Sequence, residues 1–147
     1  MNIRKATMHD VDALSFLFDA YRIFYKKPTD FNAAKEFLTE RISNNESEIF
    51  IAETIDSKIA GFVQLYPLFS STRLKRLWLL NDLFIDPEYR SQGISVLLID
   101  RAKQLARETN AVALTLETAK TNTIGNALYP NTGFMLDTDH NFYEWEV

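Results

Sequence analysis

From Leu74 to Ile85, leucine, tryptophan, phenylalanine and isoleucine occupy both alternating sets of side chains, with Asn81 and Asp82 as the exceptions in the apolar part of the run. A strand that is apolar on both sides suits the middle of a sheet covered on both faces. The residues that follow supply one of the covers. Asp86-Pro87-Glu88-Tyr89 reads as a turn, and the helix after it places Ile94, Leu97, Leu98, Ala102, Leu105 and Ala106 inward, with Asp100, Lys103, Arg107 and Glu108 outward.

The remaining elements arrange themselves around this unit. Ile3 to Ala6 reads as a short strand. Thr7 or the His9-Asp10 pair can cap a helix whose apolar positions Val11, Leu14, Phe18, Tyr21 and Tyr25 recur at spacings of three and four. Pro28 interrupts it, and a second helix carries Ala34, Phe37, Leu38, Arg41 and Ile42 on one side. Glu48 to Thr54 and Lys58 to Tyr66 form a hairpin across Ile55-Asp56-Ser57. After the amphipathic helix come a strand at Ala113 to Thr118, a short helix at Thr123 to Tyr129, and a last pair of strands at Phe134 to Leu136 and Phe142 to Val147. The order β-α-α-β-β-β-α-β-α-β-β predicts an α/β fold with a mixed central sheet of about seven strands flanked by about four helices. With 147 residues, 46% of them hydrophobic, and no linker or low-complexity stretch, residues 1–147 are expected to form one domain.

Composition excludes several kinds of chemistry. There is no cysteine, hence no disulfide framework, thiolate metal site or cysteine nucleophile. The two histidines, His9 and His140, lie near opposite ends without metal-ligand spacing, so no metal is expected. No segment approaches the roughly 20 apolar residues of a membrane span, and no apolar signal core follows Met1 to Ala6; a soluble cytoplasmic protein is the expectation. A formal net charge of −4 speaks against a nucleic-acid partner and favours a cationic substrate.

The segment Leu83 to Ser95 joins a strand end, a turn and a helix start. The first turn of a helix carries unpaired backbone N–H groups and the positive end of the dipole, so a pyrophosphate can dock there. Gly93 lets the backbone approach closely, and Arg90 adds positive charge. Read alone, Gly93 equally suits a plain strand-to-helix connection. The run Arg90-Ser91-Gln92-Gly93-Ile94-Ser95, however, resembles the coenzyme A loop Q/R-x-x-G-x-G/A of the GNAT N-acetyltransferase superfamily, with Ser95 where the family usually has Gly or Ala. A second block, Asn122-Thr123-Ile124-Gly125-Asn126-Ala127-Leu128-Tyr129-Pro130-Asn131-Thr132-Gly133-Phe134, is similar to the pattern N-x-x-A-x-x-L-Y-x-x-x-G-F, with Gly125 in place of Ala. The element order agrees with the family over nearly the whole chain.

The resemblance implies the GNAT acyl-CoA N-acyltransferase fold and transfer of an acetyl group from acetyl-CoA to a primary amine. It implies that the main chain of Leu83, Phe84 and Ile85 holds the pantetheine arm and the thioester carbonyl. It also implies that Arg90 to Ser95, Asn122 and Tyr129 contribute to coenzyme binding, and that Tyr129 is in addition the general acid toward the coenzyme A thiolate. The runs Tyr21 to Tyr25, Phe62 to Pro67 and Trp78 to Ile85 look like small-amine, polyamine and histone-type members. An alkylammonium, with a pKa near that of lysine, about 10.4, must lose a proton before it attacks a thioester. Asp82, the only acid within the apolar run, and Glu117, the only acid in the next expected strand, are the candidate bases, with a water chain as the alternative. Either carboxylate could equally be an ordinary strand residue facing solvent or a basic neighbour. On the first helix, Tyr21 and Tyr25 suit core packing, while others of the Tyr21, Arg22, Phe24 and Tyr25 cluster could line an acceptor pocket. Two other readings stay beside the small amine or polyamine: a protein or peptide N-acetyltransferase, and an acetyl-CoA-binding module without turnover. A homodimer stays open.

Overall fold

In a computed structural model describing Met1–Val147, the doubly apolar run becomes β4 (Lys75–Ile85), with a neighbour on each side. It pairs antiparallel with β3 (Ile59–Ser70) and parallel with β5 (Leu114–Thr115). β2 (Glu48–Glu53) and β1 (Asn2–Lys5) complete one five-stranded sheet in the order β1-β2-β3-β4-β5. A parallel pair needs a crossover. The amphipathic helix α3 (Ile94–Glu108) occupies it.

Two layers of side chains cover the sheet. On one face α1 (Val11–Phe24) and α2 (Phe31–Ser43) bring Leu14, Leu17, Phe18, Ala34 and Leu38 against Ile49, Ile51, Phe62 and Phe84. Phe50, which alternates with Ile49 and Ile51 along β2, points to the other face. There the Arg101 guanidinium of α3 lies 4.1 Å from its ring centroid. The buried stripe of α3 is Ile94, Leu98, Ile99, Ala102 and Leu105. Leu97, expected inward, is exposed, and Ile99, on the other side of Leu98, is buried in its place. Tyr25, expected in the stripe of α1, is that helix's C-cap and is exposed as well. Full burial of one leucine or phenylalanine is worth about 1.5–3 kcal/mol over leaving it in water, so these two stripes fix the helices on the sheet.

The chain gathers into two compact units, Met1–Leu116 and Glu117–Val147. The second holds α4 (Thr123–Asn131) and no strand. The expected strands at Phe134 to Leu136 and Phe142 to Val147 are therefore absent, and the sheet has five strands where about seven were expected. Their apolar alternation predicts one buried face, yet Met135, Leu136, Phe142, Tyr143 and Trp145 are exposed. Strand propensity is mostly a preference for packing against neighbouring strands, and these residues have no ladder partner to pack against. The strand expected at Ala113 to Thr118 shortens to the two residues of β5.

One ion cluster ties the start of the chain to the sheet. Arg4 on β1 donates to both Asp10 oxygens at 2.7 and 2.9 Å and to both Glu53 oxygens at 2.7 and 3.0 Å. Asp10 also accepts from the Thr7 backbone N–H at 2.7 Å, which closes the turn that starts α1. Hydrogen bonds from Arg4, aided by those from Thr7, hold the Asp10 carboxyl down to about 2. A carboxyl lowered on folding stabilises the native state above its unfolded pKa of about 3.9 and loses that contribution as pH falls through the folded value. Asp10→Asn should therefore cost about 2 kcal/mol at pH 6. The gap to the native protein should shrink below pH 4 and close near pH 2 in thermal melts; a gap independent of pH would show that Asp10 acts without its charge.

Candidate active site

The β3–β4 ladder contains one irregularity, and it lies at the two polar residues of the apolar run. Gln64 stands opposite Asp82 and Leu65 opposite Leu80, so Asn81 is the extra residue of a bulge. A bulge changes which backbone groups face which edge. Before it, the Trp78 N–H donates to the Ala113 carbonyl beside β5 at 3.0 Å; after it, the Asp86 N–H donates to Ala60 on β3 at 2.9 Å. Two-residue alternation then turns the N–H and C=O groups of Leu83 and Ile85 away from β3, toward the side on which β5 lies. β5 pairs with β4 only at Trp78 and Leu79, so the ladder on that edge ends before Leu80. The residues expected to hold the pantetheine arm thus lie on a stretch of β4 whose outer edge β5 does not cover.

The turn after β4 leads directly to the helix start. Asp86 accepts from the Glu88 N–H at 2.9 Å and closes a single 3₁₀ turn at Pro87–Tyr89. Arg90 then folds back: its Nε donates to the Ile85 carbonyl at 3.1 Å, and its guanidinium carbon lies 5.4 Å from the Phe84 ring centroid. Ser91 and Gly93 are both left-handed, at φ 59° and 77°. Gly93 is the N-cap of α3, and no side chain caps this helix, whereas Asp30 and Asn122 cap α2 and α4 through their own oxygens. The N–H groups of Ile94 and Ser95, in the first turn, therefore have no side-chain cap as partner. A Cβ built on Gly93 meets nothing within 4 Å. Left-handed backbone next to an uncapped helix start is a setting that fits a pyrophosphate, with its charge at the positive end of the helix dipole.

Asp82 points to the α1 face and is 4% exposed. Its Oδ2 accepts from Gln64 Nε2 at 2.7 Å, its Oδ1 from Asn81 Nδ2 at 3.0 Å, and the Tyr21 hydroxyl donates to the same carboxylate. Burial raises its pKa above the ordinary carboxylate value, against the pull of the donors Gln64, Tyr21 and Asn81. Burial, with the Asp82 charge as the second cause, also pushes up the Tyr66 phenol. Neither ordinary alternative for Asp82 describes this geometry, since its carboxylate faces neither solvent nor a basic side chain. Glu117, the other candidate base, is exposed and lies beyond the short β5, in the second unit.

Aromatic rings run from Asp82's partner outward. Tyr21 lies 6.0 Å from Phe84 and 5.0 Å from Tyr25; Phe24 lies 6.2 Å from Phe84 and 5.3 Å from Tyr25. Phe84 is buried, whereas Phe24 and Tyr25 are exposed. Tyr21, expected as a packing residue, therefore both packs and bonds the carboxylate.

Within the second unit, Asn122 caps α4 by accepting from the Gly125 N–H at 3.1 Å, and its Nδ2 donates to Thr118 at 2.9 Å. A Cβ on Gly125 would come within 2.6 Å of Asn122 Nδ2, so glycine at this position goes with the seat of the cap. Tyr129 is half-buried, its ring 5.8 Å from Phe134 in an edge arrangement, and its carbonyl accepts from Thr132 and Phe134.

The sequence profile of the acetyltransferase (GNAT) family matches residues 13–134. This chain belongs to the GNAT acetyltransferase family. It is 42% identical over 143 residues to the uncharacterized N-acetyltransferase YhfO of Bacillus subtilis, covering 97% of this chain and 95% of that one. It is 33% identical to a probable acetyltransferase of Haemophilus influenzae, covering 98% and 97% of the two chains. A crystal structure of a probable acetyltransferase superposes with a TM-score of 0.95 at 37% identity, covering 100% of this chain and 98% of the other. The protein is thus an acetyl-CoA-dependent acetyltransferase with the α/β GNAT fold.

For this GNAT acetyltransferase, the structure brings Asp82, Leu83, Phe84, Ile85 and Arg90 together at the end of β4, with Ser91, Gln92, Gly93, Ile94 and Ser95 following on the turn and helix start. Asn122 and Tyr129 share α4 and its cap. Gln64 and Ser47 escaped notice in the sequence. The signal for Gln64 was a lone amide in an otherwise apolar set of β3, between Phe62 and Tyr66. Ser47 carried none. No helix is long and apolar enough to cross a membrane, and no group of three or more His, Asp or Glu side chains gathers as a metal site.

Proposed function

We propose that this acetyltransferase acetylates a small primary amine or polyamine by direct attack on acetyl-CoA, with Asp82 as the proton acceptor. The observation that carries this reading is the buried Asp82 carboxylate, bonded by Tyr21 at the inner end of an aromatic run whose outer members are exposed. Aromatic faces attract an alkylammonium through their quadrupole, and a carboxylate beyond them supplies Coulomb attraction and a base. A buried carboxyl with a raised pKa is better matched to removing a proton near neutral pH than an exposed one.

Acetyl-CoA supplies the activated acetyl group. In this reading, the Leu83 and Ile85 backbone groups on the outer edge of β4 orient the pantetheine arm and the thioester carbonyl. The helix start at Gly93, Ile94 and Ser95 takes the pyrophosphate, with Arg90, Ser91 and Gln92 shaping the turn and Asn122 contributing from the cap of α4. Tyr129 gives a proton to the departing thiolate. With no cysteine in the chain, direct transfer to the amine is the economical route.

The test is release of free coenzyme A thiol from acetyl-CoA across polyamines, amino acids, aminoglycosides and lysine peptides, in a protein with no thiol of its own. Turnover should concentrate on small primary amines or polyamines, with intersecting initial-rate lines. Good turnover of lysine peptides with every free amine inert would replace the acceptor by a protein. Parallel lines would replace direct transfer by a covalent intermediate.

A further inference from the structure

We propose that Gln64, clamped from behind by Ser47, is a positioning residue that fixes the Asp82 carboxylate and favours its charged form; its catalytic meaning rests on the reading of Asp82 as the proton acceptor. Gln64 has no exposed surface and lies on the same face of β3 as Phe62, opposite Asp82 across the bulge. An apolar side chain would fill such a site without desolvating an amide. Gln64 instead uses both ends. Its Nε2 donates to Asp82 Oδ2 at 2.7 Å, and its Oε1 accepts from the Ser47 hydroxyl at 2.9 Å.

The direction of this chain follows from chemistry. An ionised carboxylate only accepts, so the amide must turn its NH₂ toward Asp82 and leave its oxygen to Ser47. Ser47, 7% exposed and next to the start of β2, donates in turn. Both hydrogen bonds point the same way, each polarising the next, and the chain ends on the carboxylate, where it favours the charged form. Gln64 cannot meet an acceptor amine from its buried position, so any influence it has on the reaction passes through Asp82.

Little else competes for control of this carboxyl. From α1 it faces Tyr21, from its own strand Asn81, and from β3 Gln64 and, through charge, Tyr66. α3 covers the opposite face of the sheet, where its Arg101 lies over Phe50; Arg41 of α2 acts by charge on Tyr66, and β5 offers only Leu114 and Thr115. No lysine, arginine, histidine or second carboxylate is among the groups that set its proton affinity. Removing Gln64's donor leaves burial less opposed, so the Asp82 pKa must rise and its titration must move to higher pH.

The experiment uses the full chain with ¹³C-labelled aspartate. It follows the Asp82 carboxyl carbon, assigned by its loss in Asp82→Asn, together with the acid limb of kcat/KM. Gln64→Met, close in size and without a donor, should move both to higher pH by about 1–2 units, the scale of one hydrogen bond to a charged group. Ser47→Ala, which deletes one oxygen, should move both the same way by less, and it carries the test alone if the methionine variant does not fold. An Asp82 carbon that titrates in these variants where it does in the parent overturns the proposal. A carbon that moves while the kinetic limb stays supports the hold of Gln64 on Asp82 and removes Asp82 as the base.

Discussion

Acetyl-CoA should raise the melting temperature of this protein, and Gly93→Val should abolish that rise. A ligand that binds only the native state adds about 2.7 kcal/mol at one hundred times its dissociation constant, a large shift for a domain of this size. Gly93 is left-handed at φ 77° and starts an uncapped helix, while a Cβ on it meets nothing of the protein within 4 Å. Two effects of valine can therefore be separated. The left-handed backbone costs a β-branched residue about 1–2 kcal/mol, which lowers the melting temperature with and without ligand. The branched side chain also stands beside the N–H groups proposed to take the pyrophosphate, which removes the shift itself. Gly93→Ala is the control, since it pays a similar backbone cost with a smaller side chain and should retain part of the shift. A full shift in the valine variant would move the pyrophosphate away from Arg90 to Ser95.

The parts of the structure readable in the sequence are those set by local periodicity. The doubly apolar run gave β4, the three-and-four spacing gave Val11, Leu14 and Phe18 of α1 and Ile94, Leu98, Ala102 and Leu105 of α3, though not Leu17 or Ile99, and the turn with Gly93 gave the start of α3. Pairing is another matter. Phe134 to Leu136 and Phe142 to Val147 alternate as strands do, but a strand exists only where another one meets it, and alternation does not name the partner. The bulge at Asn81 was hidden for the same reason: an extra residue is visible only against the opposing strand. Asp82 stood out because a carboxylate inside an apolar run is costly. What offsets that cost comes from Gln64 on β3, Tyr21 on α1 and, behind Gln64, Ser47 next to β2, residues brought together by a register that no local pattern encodes.

Tyr129→Phe should lower kcat by about 10²- to 10⁴-fold, the usual contribution of general acid catalysis, while leaving acetyl-CoA binding and the melting temperature nearly unchanged. The substitution removes one oxygen and keeps the ring that lies 5.8 Å from Phe134. The backbone of Tyr129 is held independently of its hydroxyl, since its carbonyl accepts from the Thr132 and Phe134 N–H groups at 3.1 and 3.0 Å. α4 also keeps its Asn122 cap, so the helix should not shift. A thiol like that of cysteine has an ordinary pKa of about 8.5 and a phenol one near 10, so a phenol in general can hand its proton to a departing thiolate at a cost of only about 2 kcal/mol. The benefit should therefore be greatest for the natural thioester. An acyl donor with a more acidic leaving thiol needs less help, and the gap between parent and variant should narrow with it. A packing role predicts the reverse, a lower melting temperature with little change in kcat. If the phenylalanine variant keeps near-normal kcat across the pH range and with both donors, water is the proton source and Tyr129 only fills space beside Phe134.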